Sequence, residues 1–522
     1  MSGFRMQAGF MQKGLRFGFM ALLISQFLGC ASLPTDFEKT PSYALRDTGQ
    51  THLAQRVDPL LAANPDLSGF YALPKGIEAL GARLRLVHLA ETGIDLQYFI
   101  ITDDIVGDLL IQALMEAADR GVRVRILLDD IETKGYELAF SVLSANPNIE
   151  IRLINPFSNR KVLAAAITEF QRVNHRMHNK SITFDNQATI VGGRNIGAPY
   201  FGSSDEFNYY DYDVLAIGPV TGQVSTEFDL YWNSDEAYPV TAFVEPDDSS
   251  ESARTLMDRF RAARENAMTT EFVDAVENQI VDFVLASDSD YLTWAPGRVV
   301  YDLPYGTTAA DGTEGEDVLG KILVDAIEDA TEEFVLVSPY FVPGEAGMEG
   351  FRKLRGRGVN CVVLTNSLAS TDQVAVYGGY EEYQEDLMEM GVELWELMAF
   401  PSIPGDQPGA PTDRRALHAK IYVLDNERLF VGSFNWDPRS FNINSEMGIV
   451  IESEEFATET SNNIQSQLPG IAWKLRLNDN GKLEWVDVSG EAEVVYDSPP
   501  QSTAGQRFKS EVYGIDALEG QL

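Results

Sequence analysis

Cysteine is nearly missing from this 522-residue chain: Cys30 and Cys361 are the only two. Cys361 lies in the apolar run "VNCVVL" and reads as a small buried core residue, so no internal disulfide framework is available. Histidine is almost as scarce, with five in all. His175 and His178 form an H-x-x-H, but no cysteine or further histidine cluster completes a tetrahedral set, so no metal and no other cofactor is expected. His52 and His88 read as surface or packing residues. Positive charge is in short supply: 40 Lys and Arg face 79 Asp and Glu, a net charge of −39. Nucleic-acid binding leans on cations that displace counterions, so this balance argues against DNA or RNA as a partner. A long hydrophobic run is also lacking. The N-terminal stretch "FGFMALLISQFLG" covers 13 residues, too short to span a bilayer comfortably.

That stretch follows Arg5, Lys13 and Arg16 and ends in "FLGCAS", which resembles a bacterial lipoprotein signal. On this reading residues 1–29 are a signal peptide, and Cys30 becomes the lipidated first residue of a protein held on the periplasmic face of the inner or outer membrane. An uncleaved N-terminal anchor is the alternative. Either way the partner is a membrane surface, and several acyl chains on one cysteine hold stably. With 44% hydrophobic and 23% charged residues the chain is otherwise globular and long enough for two or three domains.

What is present is duplication. "GIDLQYFII" (93–101) predicts a buried strand, "IVGDLLIQALMEAADRG" (105–121) an amphipathic helix and "VRVRILLDD" (122–130) a second strand. "EFVLVSPYFV" (333–342), "MEGFRKLRGRG" (348–358) and "VNCVVLTNS" (359–367) repeat the sequence of elements, with Arg120-Gly121-Val122 matched to Arg357-Gly358-Val359 and Tyr98-Phe99 to Tyr340-Phe341. Each half is therefore expected to be an α/β layer structure with mainly parallel strands under covering helices. The predicted organisation is an irregular leader over 30–70, a first half over 71–245, a helical connection over 246–295, a second half over 296–490 and a loose tail over 491–522. Within the second half, "KLRLNDNGKLEWVDV" predicts a β-hairpin turning at Asn480-Gly481 rather than a calcium loop.

The chemistry sits in a second repeat. "HNKSITFD" carries His178, Lys180 and Asp185, and "HAKIYVLD" carries His418, Lys420 and Asp425 at the same spacing, 240 residues later. On an extended chain the histidine and lysine of each copy share one face. An apolar strand and a glycine turn follow each copy: "TIVGGRN" ends at Asn195, and "LFVGSFN" holds Ser433 and Asn435. Farther on, Asp211 in "YYDYDVLAIG" and Glu446 in "NSEMGIVIES" offer one carboxylate to each half.

Paired H-x-K-x4-D motifs, each followed by G-G/S-x-N, resemble the phospholipase D superfamily. More narrowly, "HRMHNKSITFDNQATIVGGRNIG", "ALHAKIYVLDNERLFVGSFNWDPRS" and "NSEMGIVIES" behind a lipoprotein-like leader are similar to bacterial cardiolipin synthases of the C type. The resemblance covers roughly residues 70 to 490. It implies two similar mixed-sheet α/β halves related by a pseudo-twofold axis, with both motifs at one phospholipid site and no cofactor. His178 is implied as the nucleophile forming a phosphohistidine and His418 as the acid and base, although the two roles are exchangeable. Lys180 and Lys420 would supply charge, while Asn195, Asn435 and Ser433 would bind phosphate oxygens. Asp211 is expected behind His178, and Glu446 behind His418. Asp185 and Asp425 are expected to support the motif structurally.

The implied reaction is phosphatidyl transfer that makes cardiolipin from phosphatidylglycerol, with phosphatidylglycerol or phosphatidylethanolamine as donor. Hydrolysis to phosphatidic acid is the alternative. A nuclease of the same superfamily is disfavoured by the charge, and a non-catalytic scaffold by the completeness of both motifs. Nothing in the sequence points to a particular oligomeric state. Arg152, Arg160, Lys161, Arg172, Arg176 and Lys180 against Glu169 form a locally basic stretch, and Arg414 and Arg415 precede the second motif. They are expected to attract lipid phosphates or to be ordinary solvated charge. "FPSIPGDQPGAPTD" (400–413) predicts a mobile loop at the mouth, and "VLAAAITEF" (162–170) is either a lipid-dipping segment or core.

Overall fold

Asp104 shows how local chemistry starts an element: its carboxylate accepts from the backbone N–H groups of Val106 and Gly107 and caps the helix Ile105–Asp119. Gly121, at φ 95°, lets the chain turn off that helix into the strand Arg123–Asp129. The computed structural model describes residues 33–158, 169–267, 280–287, 289–307, 318–401 and 414–513. The predicted signal, Cys30, Arg160, Lys161, nearly all of the 162–170 run and of the 400–413 loop lie outside the described residues.

Two large sheets are built alike. The first runs Thr293–Ala295, Ser68–Leu73, Asp213–Ile217, Ala188–Gly192, Ser181–Phe184, Gly93–Tyr98, Arg123–Asp129, Ile149–Ile154, Ala237–Pro239. The second runs Gly297–Tyr301, Met447–Glu452, Arg428–Gly432, Ile421–Leu424, Glu333–Val337, Asn360–Asn366, Glu393–Leu397, Ala472–Leu477, Leu483–Asp487, Val494–Tyr496. Parallel pairing is confined within each sheet to three strands, Gly93–Tyr98 through Ile149–Ile154 and Glu333–Val337 through Glu393–Leu397. The expectation of mainly parallel sheets is corrected, because the strand after each histidine motif turns back as a hairpin and adds antiparallel partners.

The sheets pack face to face. Phe70, Val191 and Val214 of one share a core with Val335, Ile421 and Ile449 of the other. Separate cores lie on the outer faces, where helices such as Ile105–Asp119 and Gly344–Gly356 cover each sheet.

The hairpin turns carry the motif aspartates. Asp185 and Asn186 take φ of 49° and 52°, and Asp425 and Asn426 take 53° and 54°, in the left-handed region that Asp and Asn tolerate best after glycine. Asp185 accepts from the N–H groups of Glu91, Thr92 and Gly93, and Asp425 from those of Thr331, Glu332 and Glu333. Gly93 thus corresponds to Glu333. The bridges Ile101 to Ile196 and Phe341 to Trp436 keep the same offset. Tyr98 therefore corresponds to Ser338, and the predicted match of Tyr98-Phe99 with Tyr340-Phe341 is two residues out of register.

Three further expectations change. The leader is irregular only to Thr51, which caps the helix His52–Ala63, and Ser68 then starts a strand of the first sheet. The connection contains the helices Glu251–Ala267 and Ile280–Val284 but ends in a strand, Thr293–Ala295, paired with Ser68–Phe70. The described part of the tail, to residue 513, is ordered: Val494–Tyr496 extends the second sheet, and the helix Ala504–Tyr513 is tied down by Gln506 Nε2 donating to the Leu368 carbonyl at 3.1 Å. The hairpin at Asn480-Gly481 is present, joining Ala472–Leu477 to Leu483–Asp487. The Asn478 side chain accepts there from the N–H groups of Asn480 and Lys482.

Candidate active site

Each histidine motif is stitched to the opposite half of the molecule. The strand Phe207–Tyr210 pairs in parallel with Arg414–Leu417, and the N–H of His418 donates to the carbonyl of Tyr210 at 2.8 Å. Met177 forms a parallel bridge with Ser445, and the N–H of His178 donates to the carbonyl of Ser445 at 2.8 Å. In both cases the next residue along the partner chain is a carboxylate. His418 Nδ1 lies 2.7 Å from Asp211 Oδ2, and His178 Nδ1 lies 2.8 Å from Glu446 Oε2. The predicted pairing within each half is therefore reversed: Glu446 holds His178 and Asp211 holds His418. Inter-half strand pairing decides this, because it sets each carboxylate one residue past the carbonyl that receives the other half's histidine N–H.

Both imidazoles are nearly sealed, at 6% exposure for His178 and 5% for His418. Lys180 Nζ donates to the carbonyl of His178 at 2.6 Å, and Lys420 Nζ to that of His418 at 2.5 Å. Burial holds the His178 imidazole well below its ordinary value, and the positive charges of Lys180, Lys420 and His418 add to the effect. Burial, followed by Lys420, brings His418 down to about 4 against the opposing pull of Asp211. Lys180 is likewise lowered by burial and then by Lys420, and burial takes Lys420 to about 8 although Asp211 and Glu446 oppose it. Each lysine acts on both histidines, which puts the two motifs in one electrostatic unit.

The two carboxylates differ. Glu446 is pushed up to about 7 by burial, against Lys180 and hydrogen bonds from Ser433 and Ser440. Asp211 ends at about 2: burial raises it, but His418, Lys420 and Arg194 outweigh that. A steric detail accompanies the difference. Ser433 Oγ donates to Glu446 Oε2 at 2.5 Å, so this hydroxyl supports the carboxylate rather than facing a phosphate as predicted. In the first half the equivalent position is Gly193, where an added Cβ would lie 2.2 Å from Asp211 Oδ1. The shorter aspartate occupies the space that the serine fills beside the longer glutamate.

Asn195 and Asn435 are buried in the same centre, each with an Oδ1 that lacks a hydrogen-bond partner. Turning either amide by 180° puts an N–H donor there, as an anion requires. Asp185 and Asp425 lie on the hairpin turns, where their carboxylates are taken up by backbone N–H groups.

Sequence reading missed the walls. Phe99 meets His178 edge-on at a centroid distance of 5.0 Å, and Tyr200 meets His418 in the same way at 5.0 Å. Tyr209 lies 5.1 Å from His418 and stacks on Tyr200. Tyr200 also receives a hydrogen bond from Asn195 Nδ2 at 3.0 Å, and Ser440 donates to Glu446 Oε1 at 2.9 Å. Tyr200 and Ser440 each stand five residues after a motif asparagine, so the repeat itself carried a signal for them. The basic stretch resolves into internal structure. Arg152 is buried and reaches the exposed Glu150, Arg176 is buried with Asp129, Arg172 pairs with Glu169, and Arg414 donates to the carbonyls of Ala369, Ser370 and Thr371. Among the described residues no group of His, Cys, Asp and Glu could hold a metal ion.

Comparison with known proteins agrees with this geometry. The family model described as "Cardiolipin synthase, PLD-like domain" matches residues 84–232 and 323–468, one match in each half. Cardiolipin synthase C of Escherichia coli K12 is 38% identical over 90% of this chain and 99% of its own length. Cardiolipin synthase A of Pseudomonas syringae is 26% identical over 78% of this chain and 71% of its own. The crystal structure of a phosphatidylserine synthase from Haemophilus influenzae superposes with a TM-score of 0.55 at 12% identity, covering 90% of this chain and all of that one, which places the fold. With two matched repeats, a near full-length relative and both motifs complete, the chain belongs to the phospholipase D-like cardiolipin synthase family.

Proposed function

We propose that the protein transfers a phosphatidyl group to the glycerol headgroup of phosphatidylglycerol, making cardiolipin through a phosphohistidine on His178. The donor is phosphatidylglycerol or phosphatidylethanolamine. The observation that carries this reading is the exchange of carboxylates, which anchors both Nδ1 atoms and leaves both Nε2 atoms for one phosphate.

The electrostatics favour His178 as the nucleophile. Burial and the lysines keep it neutral, so its Nε2 carries a lone pair. Burial and Lys420 hold His418 low as well, at about 4, but the ionised Asp211 behind it opposes them, and the negative charge of a bound phosphodiester adds to that pull toward the imidazolium that the acid role requires. His178 Nε2 attacks phosphorus as the P–O bond to the headgroup breaks, and His418 gives its Nε2 proton to the departing oxygen. In the second step the acceptor hydroxyl passes its proton to His418, its oxygen bonds to phosphorus, and the P–N bond to His178 breaks. Lys180, Lys420 and the amides of Asn195 and Asn435 neutralise and hold the phosphoryl oxygens throughout. Contact with the membrane is proposed to run through acyl chains on Cys30 at the periplasmic face. No helix among the described residues is long and apolar enough to cross a membrane.

Purified protein incubated with labelled phosphatidylglycerol, with and without phosphatidylethanolamine, tests the reading. Labelled cardiolipin is the expected product. Phosphatidic acid alone would instead identify a hydrolase that uses the same covalent step.

A further inference from the structure

The two sides of the catalytic centre are not alike. Beside His178 stands Phe99, an apolar ring. Beside His418 stand Tyr200 and Tyr209, and behind them the carboxylate of Asp372 accepts hydrogen bonds from Tyr209 at 3.0 Å and from Tyr340 at 2.9 Å. Tyr209 belongs to the first half and Tyr340 to the second, so the cluster spans the same seam as the catalytic pairs. Asp372 follows the strand Asn360–Asn366, beyond the carboxyl end of the parallel segment, where α/β folds gather ligands.

Asp372 is exposed, and among the described residues no lysine, arginine or histidine pairs with it. Its charge nevertheless reaches the centre, where it acts on Lys420. Burial, with Asp372 next in weight at Tyr340, keeps the tyrosine hydroxyls protonated and able to donate. A carboxylate aimed by two hydroxyls and bordered by aromatic faces is suited to an organic cation.

We propose that Asp372, oriented by Tyr209 and Tyr340, is the headgroup subsite of the centre and selects a donor phospholipid whose headgroup ends in a primary ammonium. This rests on the transfer reading and on the roles given to the two histidines. In-line displacement puts the leaving oxygen opposite His178, on the side of the acid His418, and that is the side where Asp372 lies. A zwitterionic lipid then meets a matched pair of charges: the phosphate on Lys180 and Lys420, the ammonium on Asp372. As His178 Nε2 bonds to phosphorus, the P–O bond breaks, His418 protonates the oxygen, and the amino alcohol leaves with its ammonium intact. In the second step the glycerol headgroup of the acceptor occupies the same place: its secondary hydroxyl donates to Asp372, while its outer hydroxyl gives its proton to His418 and bonds to phosphorus as the P–N bond to His178 breaks.

The test uses the full-length protein on vesicles holding equal amounts of phosphatidylethanolamine and phosphatidylglycerol with distinguishable labels in the two headgroups. The readout is the ratio of ethanolamine to glycerol released, which is independent of total activity. Asp372→Asn is expected to lower this ratio at least tenfold, and Tyr340→Phe, which keeps the carboxylate, to lower it several-fold. Should Asp372→Asn lose all turnover, the ratio in Tyr340→Phe decides. A ratio within twofold of the parent protein in the active variants would overturn the subsite. If phosphatidic acid is formed instead of cardiolipin, the transfer reading fails, while the headgroup ratio still reports on Asp372.

Discussion

Glu446 and Asp211 occupy equivalent posts behind the two histidines, yet their protonation behaviour is opposite. Asp211 is ionised at any pH where the protein works, whereas Glu446 is pushed up to about 7 and changes charge in the neutral range. When ionised, Glu446 accepts the Nδ1 proton of His178 and leaves the Nε2 lone pair free. When protonated, it can donate to Nδ1 and so place the imidazole proton on Nε2, where it blocks attack. The sign follows: kcat/KM rises with pH through about 7 as the glutamate ionises. Glu446→Gln has no such titration. The expected outcome is a rate lower by roughly 10²- to 10⁴-fold with the rising limb near neutral pH removed, read from pH profiles of the two proteins. The same group works against stability where it favours activity. Its folded-state value lies above the ordinary 4.5, so its contribution to stability is complete below pH 4.5 and is lost as pH rises through about 7.

At the scale of elements, the motif aspartates are turn residues that lock a hairpin to its neighbour. Each carboxylate gathers three successive backbone N–H groups at the start of the neighbouring strand, which pairs antiparallel with the motif strand. Asp185 is 1% exposed, while Asp425 is half-buried with partners that water can also reach. Asp185→Ala is therefore expected to cost more, on the order of 2–3 kcal/mol, since it strands buried donors, and Asp425→Ala less. Denaturation midpoints of the two variants at equal m-value check the order, and equal losses would count against burial as the cause. These elements were readable because their signals are local: strand alternation, a glycine after a helix, Asp-Asn at a turn. The misplaced match of Tyr98-Phe99 arose because a dipeptide carries no register. The hydrogen bonds of Asp185 and Asp425 supply it.

At the scale of the molecule, the pairing of Glu446 with His178 and Asp211 with His418 could not be read from order along the chain. Each carboxylate follows the motif of its own half, and only the inter-half pairings of Phe207–Tyr210 and Met177 move it across the seam. Tyr209, Tyr340 and Asp372 were hidden for the same reason, since they come from three separate segments. Charge was legible in total and misleading in detail. The net of −39 is plain in the composition, but the basic stretch expected near the first motif is largely consumed internally, with Arg152 and Arg176 fully buried. With the described arginines of that stretch turned inward, an anionic lipid surface meets a strongly acidic protein, and long-range repulsion slows the encounter until salt screens it. Screening shortens the reach of those charges from about 30 Å at ~0.01 M salt to about 8 Å at ~0.15 M. Turnover on phosphatidylglycerol vesicles is expected to rise several-fold across that range and to rise less when the anionic lipid is diluted with zwitterionic lipid. Rates measured at both salt concentrations on both vesicle types check it. A rate that falls with salt would instead locate an outward basic surface that steers the lipid to the centre.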